Sequence, residues 1–403
     1  MKKNYIALTV ILLCVLLCGC GRQRGYYVDI AEEEAKIKDS GSSNTSSDYV
    51  DEQRVNNLHW DNITYTDDEL ILHRRADADC FRLDLNSGER TALCEIPGCT
   101  HDPNTHEPYC INYMAYDCLT YTAEGMYYTD YNRPGKIIYR EGNEGKEKVV
   151  YVNTFSTELS EELEPGRGNS VRGIIRGNIF YVMGSNYVYL VDMNSWDMIT
   201  EPMVLSDNFI QFVDVWDEYL WCTNLAYELI CYNILTGEVI HVDDKVGNLQ
   251  CYDGYLYYAQ GDVQGGGVLM RRDIDGSNPV KITDVHSWGA EIEVTDTNIY
   301  FDRMDGIYVC DRDGGNVHKL NLTLTYEEGY TYSMDSENVC LMSIFSNRFS
   351  NYVYIIDRKR ISDEVCTNAL FRVDKETQEI RAYSLGVYYK ESPKIDFSDL
   401  VGE

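Results

Sequence analysis

Residues 298–315 read NIYFDRMDGIYVCDRDGG and contain one complete copy of a pattern that recurs along the chain. The apolar segment Asn298–Phe301 is followed by a second apolar segment that ends at Asp311, and the sequence Asp313-Gly314-Gly315 comes next. Runs of β-branched and aromatic residues bounded by turn formers are typical of β-strands. Asp-Gly sequences favour hairpin turns because both residues tolerate positive φ. The stretch therefore predicts two antiparallel strands and a tight turn into a third.

This pattern occurs seven times. In each copy the second strand ends in an acidic residue or an asparagine, and these residues are Asp84, Glu141, Asp192, Asn233, Asp273, Asp311 and Asp374. Successive copies lie roughly 40 to 60 residues apart, which is the length expected of a four-stranded blade. The chain is therefore predicted to be an all-β protein, a seven-bladed β-propeller with four-stranded antiparallel blades.

The segment before each of these residues is apolar and lacks the polar alternation of a one-sided sheet. These segments are Glu69–Leu72, Gly125–Tyr128, Asn178–Tyr181, Glu218–Trp221, Gly254–Tyr258, Asn298–Phe301 and Asn338–Leu341. A propeller explains them as inner strands that neighbouring blades cover on both faces. The 34 tyrosines suit the wedge between blades, because a phenol ring fills space while its hydroxyl reaches water. A solvent-facing aromatic platform for sugars is the alternative interpretation.

The N-terminus has the features of an export signal. Lys2 and Lys3 precede an apolar run, Tyr5–Leu17, that is too short for an ordinary membrane span. The run ends in Leu17-Cys18-Gly19-Cys20, which resembles the lipobox of bacterial lipoproteins. The resemblance implies a signal peptide over residues 1–19 and acylation of Cys20, for example with palmitate, after cleavage. A plain secretory signal with unrelated cysteines is the alternative.

A tether separates this cysteine from the predicted propeller. Residues 20–50 include the charged segment Ala31–Glu34 and the Ser-rich segment Gly41–Ser47, and the latter composition is that of a flexible coil. We assign the propeller to residues 51–390 and a C-terminal tail to residues 391–403. The expected location is the extracytoplasmic face of the cell membrane, with the lipid on Cys20 as the anchor.

The charge of the chain limits its partners. The formal net charge is −31 at pH 7, and such a surface repels nucleic acid and anionic lipid headgroups. Nucleic-acid binding is therefore excluded. A cationic ligand, a metal ion or a basic partner surface is compatible with this charge, and solubility outside the cell is the simpler explanation.

Two segments are similar to a known propeller family. Tyr127-Tyr128-Thr129-Asp130 and Asp273–Pro279 resemble the YWTD-type propeller of the low-density-lipoprotein-receptor family. Residues 51–390 as a whole resemble bacterial lipoproteins whose domain of unknown function is similar to that propeller. The shared motifs specify hairpins and blade packing, so the resemblance implies a fold and no active site. The tetrapeptide occurs once in near form, so the receptor's ligands are not carried over.

A cysteine-rich loop follows the first predicted outer strand. Cys94, Cys99, His101 and Cys110 place three thiols and an imidazole within seventeen residues. A similar cluster recurs in the bacterial lipoproteins that the chain resembles. Three thiolates and one imidazole can complete a tetrahedral zinc site, although the spacings differ from the paired C-x2-C of zinc ribbons. His101 favours the zinc interpretation, because an imidazole can bind zinc and takes no part in a disulfide.

A disulfide stays open as an alternative, because an exported protein is exposed to an environment where thiols can be oxidised, and free thiols are the third possibility. With either chemistry the loop is a structural clasp, because four protein ligands leave no open coordination position for water. The cysteines Cys222, Cys231, Cys310 and Cys340 occupy apolar positions in predicted strands, where we expect buried free thiols. Eleven cysteines follow Cys20, and this odd number argues against a fully disulfide-bonded framework.

Catalytic motifs are absent from the sequence. It contains no Gly-x-Ser-x-Gly elbow, no His-Glu-x-x-His, no phosphate loop and no dinucleotide fingerprint. The segments Asp273–Asp275 and Asp311–Asp313 are similar to the start of a calcium loop, but they lack the downstream glutamate. We interpret them as hairpin turns, with calcium binding as the alternative.

Two functions from different classes follow. We expect a membrane-anchored, non-catalytic binding or scaffold module that presents the loops at one mouth of the propeller to a cell-envelope protein, peptide or glycan. The alternative is an extracytoplasmic polymer hydrolase or lyase with its site at the channel mouth. Its candidate carboxylates are Asp130, Asp214, Asp253, Asp302 and Asp335.

Overall fold

The computed structural model describes residues 61–65, 68–74, 81–92, 116–122, 125–130, 136–141, 146–153, 172–176, 179–262, 266–286, 290–303, 305–326, 329, 331–333, 339–346, 350–360 and 365–389. Helices long and apolar enough to span a bilayer are not found among these residues. The predicted signal peptide, Cys20, the tether, the C-terminal tail and the loop from Cys94 to Cys110 lie outside the described residues.

The first four blades contain sixteen strands in chain order. Blade 1 contains β1 (Asp61–Tyr65), β2 (Glu69–Arg74), β3 (Phe81–Asp84) and β4 (Arg90–Ala92), and blade 2 contains β5 (Tyr116–Thr122), β6 (Gly125–Asp130), β7 (Lys136–Glu141) and β8 (Lys146–Val152). Blade 3 contains β9 (Arg172–Arg176), β10 (Ile179–Met183), β11 (Tyr187–Asp192) and β12 (Met203–Val204), and blade 4 contains β13 (Ile210–Trp216), β14 (Tyr219–Asn224), β15 (Glu228–Asn233) and β16 (Val239–Asp244).

The remaining strands form three further blades and one short ribbon. Blade 5 contains β17 (Val246–Tyr252), β18 (Tyr255–Asp262), β19 (Gly266–Asp273) and β20 (Val280–Val285), and blade 6 contains β21 (Ile292–Val294), β22 (Asn298–Arg303), β23 (Gly306–Asp311) and β24 (His318–Lys319). The ribbon contains β25 (Thr323–Thr325) and β26 (Thr331–Ser333), and blade 7 contains β27 (Val339–Phe345), β28 (Tyr352–Arg360), β29 (Val365–Asp374) and β30 (Ile380–Tyr389).

Within every blade, each strand pairs antiparallel with the next strand of the chain. The first strands of neighbouring blades contact one another, as β13 contacts β9 and β17, and β21 contacts β17 and β27. First strands therefore surround the axis of the ring and fourth strands form its outer rim. The structure is a seven-bladed β-propeller with four-stranded blades, which confirms the predicted fold class.

The apolar segments predicted as inner strands occupy the second position in six blades, where β10, β14 and β22 are almost entirely buried. In blade 7 the segment Asn338–Leu341 instead precedes and begins β27, the first and innermost strand, and the sequence pattern did not identify β28, which lies between it and the strand that ends at Asp374. First strands such as β17 and β21 are as buried as second strands, so burial does not distinguish the two positions.

The hydrophobic core lies in the seams between blades. One cluster joins blades 3 and 4, and further clusters join blades 4 and 5, 5 and 6, 6 and 7, and 7 and 1. Among the described residues, the fully buried tyrosines are Tyr128, Tyr181, Tyr187, Tyr189, Tyr257, Tyr258, Tyr300 and Tyr354. Tyrosine rings therefore fill the wedges between sheets, as the composition predicts.

The turn between the third and fourth strands is a repeated local structure. Asp84 Oδ1 accepts hydrogen bonds from the backbone N–H groups of Asn86 and Ser87, at 2.9 and 2.7 Å. Asn233 and Asp374 form the same pair of bonds in blades 4 and 7. In these three blades the residue that ends the third strand, which is the second strand of the sequence pattern, closes its own turn, and this confirms the predicted hairpin there.

The acidic turns of blades 5 and 6 are bonded in a related way. Asp275 Oδ1 accepts a 2.8 Å bond from the Ser277 N–H, and Asp313 Oδ1 accepts a 2.9 Å bond from the Gly315 N–H. Asp273 Oδ2 also accepts a 2.6 Å bond from the side-chain amide of Asn278. These carboxylates hold the turn backbone, which agrees with their interpretation as turn residues.

Four cysteines among the described residues are buried free thiols, namely Cys222, Cys231, Cys251 and Cys310. Cys222 lies in the seam between blades 3 and 4, whereas Cys231 lies in the seam between blades 4 and 5. The prediction is confirmed for Cys222, Cys231 and Cys310. For Cys340, the structure describes only its place in β27.

Candidate functional site

Buried polar side chains link the innermost strands of blades 4, 5 and 6. Asp214 on β13 is fully buried, and its Oδ2 accepts a 2.8 Å hydrogen bond from the Cys251 N–H on β17. Its Oδ1 accepts a 2.9 Å bond from the Val215 N–H. Both carboxylate oxygens therefore bind backbone N–H groups, and one of these bonds fastens blade 4 to blade 5.

The next pair of blades is linked in the same manner. Gln250 on β17 accepts a 2.8 Å bond from the Val294 N–H through Oε1, and its Nε2 donates a 3.2 Å bond to Glu293 Oε1. Gln250, Glu293 and Val294 all belong to first strands, which lie near the axis of the ring. We name Asp214, Gln250 and Glu293 the inner polar belt, and its bonds satisfy polar groups that burial would otherwise leave costly.

The second predicted carboxylate that is buried, Asp302, lies near the junction of blades 5 and 6. Asp302 on β22 forms a 2.9 Å ion pair with His286 Nδ1 and accepts a 2.5 Å bond from the Glu291 N–H. Burial raises the pKa of Asp302, and the bond to Asp302 raises the pKa of His286. The pair thus joins the connection after blade 5 to the sheet of blade 6.

The third predicted carboxylate, Asp253, lies at the opposite end of blade 5. It sits in the turn between β17 and β18 and forms a 2.9 Å ion pair with Arg312 of blade 6. Arg312 also donates bonds of 3.2 and 3.1 Å to the Tyr257 hydroxyl. Its guanidinium lies 5.6 Å from the centre of the Tyr252 ring. The Asp253 carboxylate is exposed, but the group it pairs with is anchored in the seam.

The turns that join first to second strands and third to fourth strands lie at one end of the ring, because successive strands are antiparallel. We name this end the turn face. Blades 4 and 5 present the same arrangement there, since Trp216 pairs with Tyr219 and Tyr252 pairs with Tyr255 on either side of a two-residue turn. All four aromatic side chains are half-buried.

The exposed turn residues Asp217 and Asp253 stand between these aromatic pairs, both with φ near +50°. The turn face of blades 4 to 6 therefore combines partly exposed aromatic rings with carboxylates and the Arg312 guanidinium. Aromatic side chains with few convergent polar groups are typical of surfaces that bind sugars or peptides.

The structure does not gather the predicted catalytic carboxylates at one place. Asp214 is buried near the axis, Asp253 lies on the turn face, and Asp302 lies near the other end of blade 6. Asp130 ends β6, and only its backbone is described. Asp335 lies outside the described residues.

Sequence reasoning missed one group of potential metal ligands. Glu228, His241 and Asp244 on strands β15 and β16 have ligand atoms that lie within 4.8 Å of one another. The predicted zinc ligands Cys94, Cys99, His101 and Cys110 lie outside the described residues. The group on blade 4 depends on a cross-strand pairing, and a His-x-x-Asp sequence on a strand is too common to indicate it.

Comparisons with known proteins concern the fold alone. No protein-family model matches the chain, and no curated protein sequence matches it. Among solved structures, the chain is similar to Hsv2 of Kluyveromyces lactis, at 8% identity and a TM-score of 0.44 over 84% of this chain and 99% of that one. It is also similar to BamB from Moraxella catarrhalis, at 11% identity and a TM-score of 0.37 over 82% of this chain and 85% of that one.

Proposed function

We propose that the chain is a membrane-tethered, extracytoplasmic binding module that presents its turn face to a protein, peptide or glycan of the cell envelope. The observation that supports this most is how the candidate carboxylates are used. Asp214 and Asp302 are buried and accept bonds from backbone N–H groups, and Asp253 pairs with an anchored arginine. These groups hold blades together, and a general acid or base needs a proton-accepting position that faces substrate.

The turn face provides the binding surface in this proposal. Trp216, Tyr219, Tyr252 and Tyr255 are half-buried, so each ring is held by its seam and still reaches solvent. Rigid aromatic side chains lose little conformational entropy on binding, which favours recognition of a sugar ring or a peptide side chain. The strong negative charge directs the module toward neutral or basic ligands.

The tether is the second part of the proposal. Leu17-Cys18-Gly19-Cys20 resembles a lipobox, and the resemblance to bacterial lipoproteins extends over the propeller residues. An acyl chain on Cys20 and the following 30 or so residues would hold the propeller close to the membrane while leaving it free to turn. The loop from Cys94 to Cys110 would act as a clasp beside blade 1, through zinc or a disulfide.

Photo-crosslinking in the producing cell tests the binding role. A photoreactive amino acid is placed at Thr297, an exposed residue in a turn of the turn face, and at Asp284, exposed at the other end of blade 5. We expect a discrete crosslinked partner from Thr297 and none from Asp284. Affinity electrophoresis in gels that contain envelope polysaccharides tests for a glycan ligand, because binding slows the migration of the protein. The double variant Trp216→Ala, Tyr252→Ala should migrate at the same rate with and without the polysaccharide.

Two results would contradict the proposal. One is the absence of any crosslink or retardation that depends on the turn face. The other is release of fragments from an envelope polymer by the purified chain, with loss of that release in a folded Asp302→Asn variant, which would establish the hydrolase or lyase. The tether is tested separately by membrane fractionation, where Cys20→Ala should release the chain from the membrane.

A further inference from the structure

The outer strands of blade 4 contain a β-bulge that changes which side chains share a face. Leu229 pairs with Asp243 and Ile230 pairs with His241, so Val242 is the extra residue. In a regular strand, residues three apart point to opposite faces. Here the bulge brings His241 and Asp244 to the same side, and a 2.9 Å bond joins His241 Nε2 to Asp244 Oδ1.

Glu228 completes the group from the neighbouring strand. It pairs directly with Asp244 across β15 and β16. The buried Asn224 side chain donates a 2.6 Å hydrogen bond to Glu228 Oε2, which fixes the direction of this carboxylate. The ligand atoms of Glu228, His241 and Asp244 consequently lie within 4.8 Å of one another. A bonded partner behind a ligand is a common feature of metal sites.

The bulge itself does not require these residues. Blades 2, 5 and 7 have a bulge between the same two strands. In blade 5 the three corresponding positions are Val268, Lys281 and Asp284, and Lys281 Nζ forms a 2.6 Å ion pair with Asp284. The fold therefore accepts an apolar residue and a lysine where blade 4 has Glu228 and His241.

Charge provides an independent argument for a cation. Two carboxylates directly opposite each other on paired strands repel, and this repulsion destabilises the pair. Among the described residues, no lysine or arginine forms an ion pair with Glu228 or Asp244. In blade 5 the equivalent carboxylate is neutralised by Lys281. In the described part of the chain the His241 side chain pairs only with Asp244, at 2.9 Å, and a positive ion at the centre of the blade 4 group would neutralise both carboxylates.

We propose that Glu228, His241 and Asp244 bind a divalent transition-metal ion of the zinc type at the rim of blade 4. One imidazole and two carboxylates form a borderline donor set, which favours such ions over Ca2+ and Mg2+. Three protein ligands leave a coordination position for water or for a partner's side chain. This proposal does not depend on the binding role of the turn face.

Zinc binding by the full-length mature chain, produced without a polyhistidine tag, tests the site. The test variant is the double substitution Glu228→Val, His241→Lys. It introduces the residues that blade 5 has at the equivalent positions, so we expect it to fold. We expect equilibrium dialysis with Zn2+ to show one equivalent fewer on this variant than on the parent. The single variant His241→Gln, which changes an exposed side chain, should weaken binding at this site by about tenfold or more.

Cobalt distinguishes this site from the cysteine loop. Thiolate ligands give Co2+ a sulfur charge-transfer band, and oxygen and nitrogen ligands do not. The parent should bind one more equivalent of Co2+ than the double variant, and this additional Co2+ should show no sulfur charge-transfer band. Ca2+ should not displace this additional Co2+. The proposal is overturned if the parent binds Zn2+ only through thiolates, if the variants bind it as tightly as the parent, or if only Ca2+ or Mg2+ binds.

Discussion

The phenolic hydroxyl of Tyr383 donates a 2.6 Å hydrogen bond to the backbone carbonyl oxygen of Leu85, and this bond joins blade 7 to blade 1. Arg90 Nη1 donates a 3.2 Å bond to the Leu385 carbonyl across the same seam. Among the described strands, blades 1 and 7 each consist of four consecutive strands and exchange none. Within the part of the chain that the structure describes, side-chain packing and these bonds therefore join the two ends of the ring.

The first prediction concerns this closure. Tyr383→Phe removes one hydroxyl from a half-buried ring and should lower the free energy of unfolding by about 1 kcal/mol. The urea midpoint of the purified propeller measures the change. Tyr308→Phe is the matched control, because the Tyr308 hydroxyl bonds to Asp305 within one blade on the exposed side. Equal effects of the two substitutions would contradict a special role for the closing bond.

The second prediction concerns the inner polar belt. Asp214→Ala leaves the buried Cys251 N–H without its acceptor and should destabilise the fold by about 1–3 kcal/mol. The amide of Asp214→Asn replaces only one of the two acceptor oxygens, so an intermediate loss is expected. Asp207→Ala, at an exposed position, should change stability by no more than about 0.5 kcal/mol. Wild-type stability of Asp214→Ala would contradict the structural role of this carboxylate.

The features that could be predicted from the sequence are those that depend on neighbours in the chain. Asp84 closes a turn with N–H groups two and three residues ahead, so its role is visible in one short segment. Asp214 and Cys251 are 37 residues apart, and their bond exists only because two blades meet. Catalytic roles for Asp214 could therefore be neither supported nor excluded before the structure placed it.

The conformational preference of a residue also fails to predict a turn position where packing between blades determines which residue is present. The fourth turn residue in blade 1 is Gly88, with φ of +78°, as the turn chemistry predicts. Its counterpart in blade 3 is Trp196, which adopts φ of +61°. The Trp196 ring lies 5.3 Å from the ring of Tyr127 in blade 2, and this contact between blades offsets the backbone strain. The bulge that assembles Glu228, His241 and Asp244 is likewise a property of two paired strands.

The third prediction is a pH dependence of stability. The bond to Asp302 raises the pKa of His286 above its unfolded value near 6.5, so the stability from this pair is complete below that pH. It is lost as the pH rises through the folded pKa. Between pH 6.5 and 8.5 the unfolding free energy should fall by less than about 1.4 kcal/mol per pH unit.

His286→Gln is the control for this slope and should flatten it. Burial also raises the pKa of Asp302, and this contribution likewise falls as the pH rises, but it begins above pH 3.8. Urea midpoints measured only at pH 6.5 and above therefore report mainly the contribution of His286 to the pH dependence of stability. A slope unchanged by His286→Gln would show that other groups cause the dependence.

The fourth prediction compares two glycines in turns. Gly314 has φ of +88°, and a Cβ there would lie 2.3 Å from the Ile282 carbonyl oxygen of blade 5. Gly254 has φ of +73°, and no atom lies within 4 Å of the position that a Cβ would take there. Gly254→Ala should cost about 1 kcal/mol from backbone strain alone. Gly314→Ala should cost about 2 kcal/mol more, because the clash forces blades 5 and 6 apart. Equal thermal midpoints for the two variants would contradict this contact.

The fifth prediction concerns thiol reactivity. Burial raises the pKa of the Cys231 and Cys310 thiols to about 12, and it raises the pKa of Cys222 as well. Only the thiolate is a good nucleophile, so iodoacetamide at pH 8 should leave these cysteines unmodified in the folded chain. Mass spectrometry of the tryptic peptides measures the modification, and the same reaction in urea is the control that should label all of them. Labelling of Cys231 at equal rates in both conditions would mean that the seam between blades 4 and 5 opens readily in the native protein.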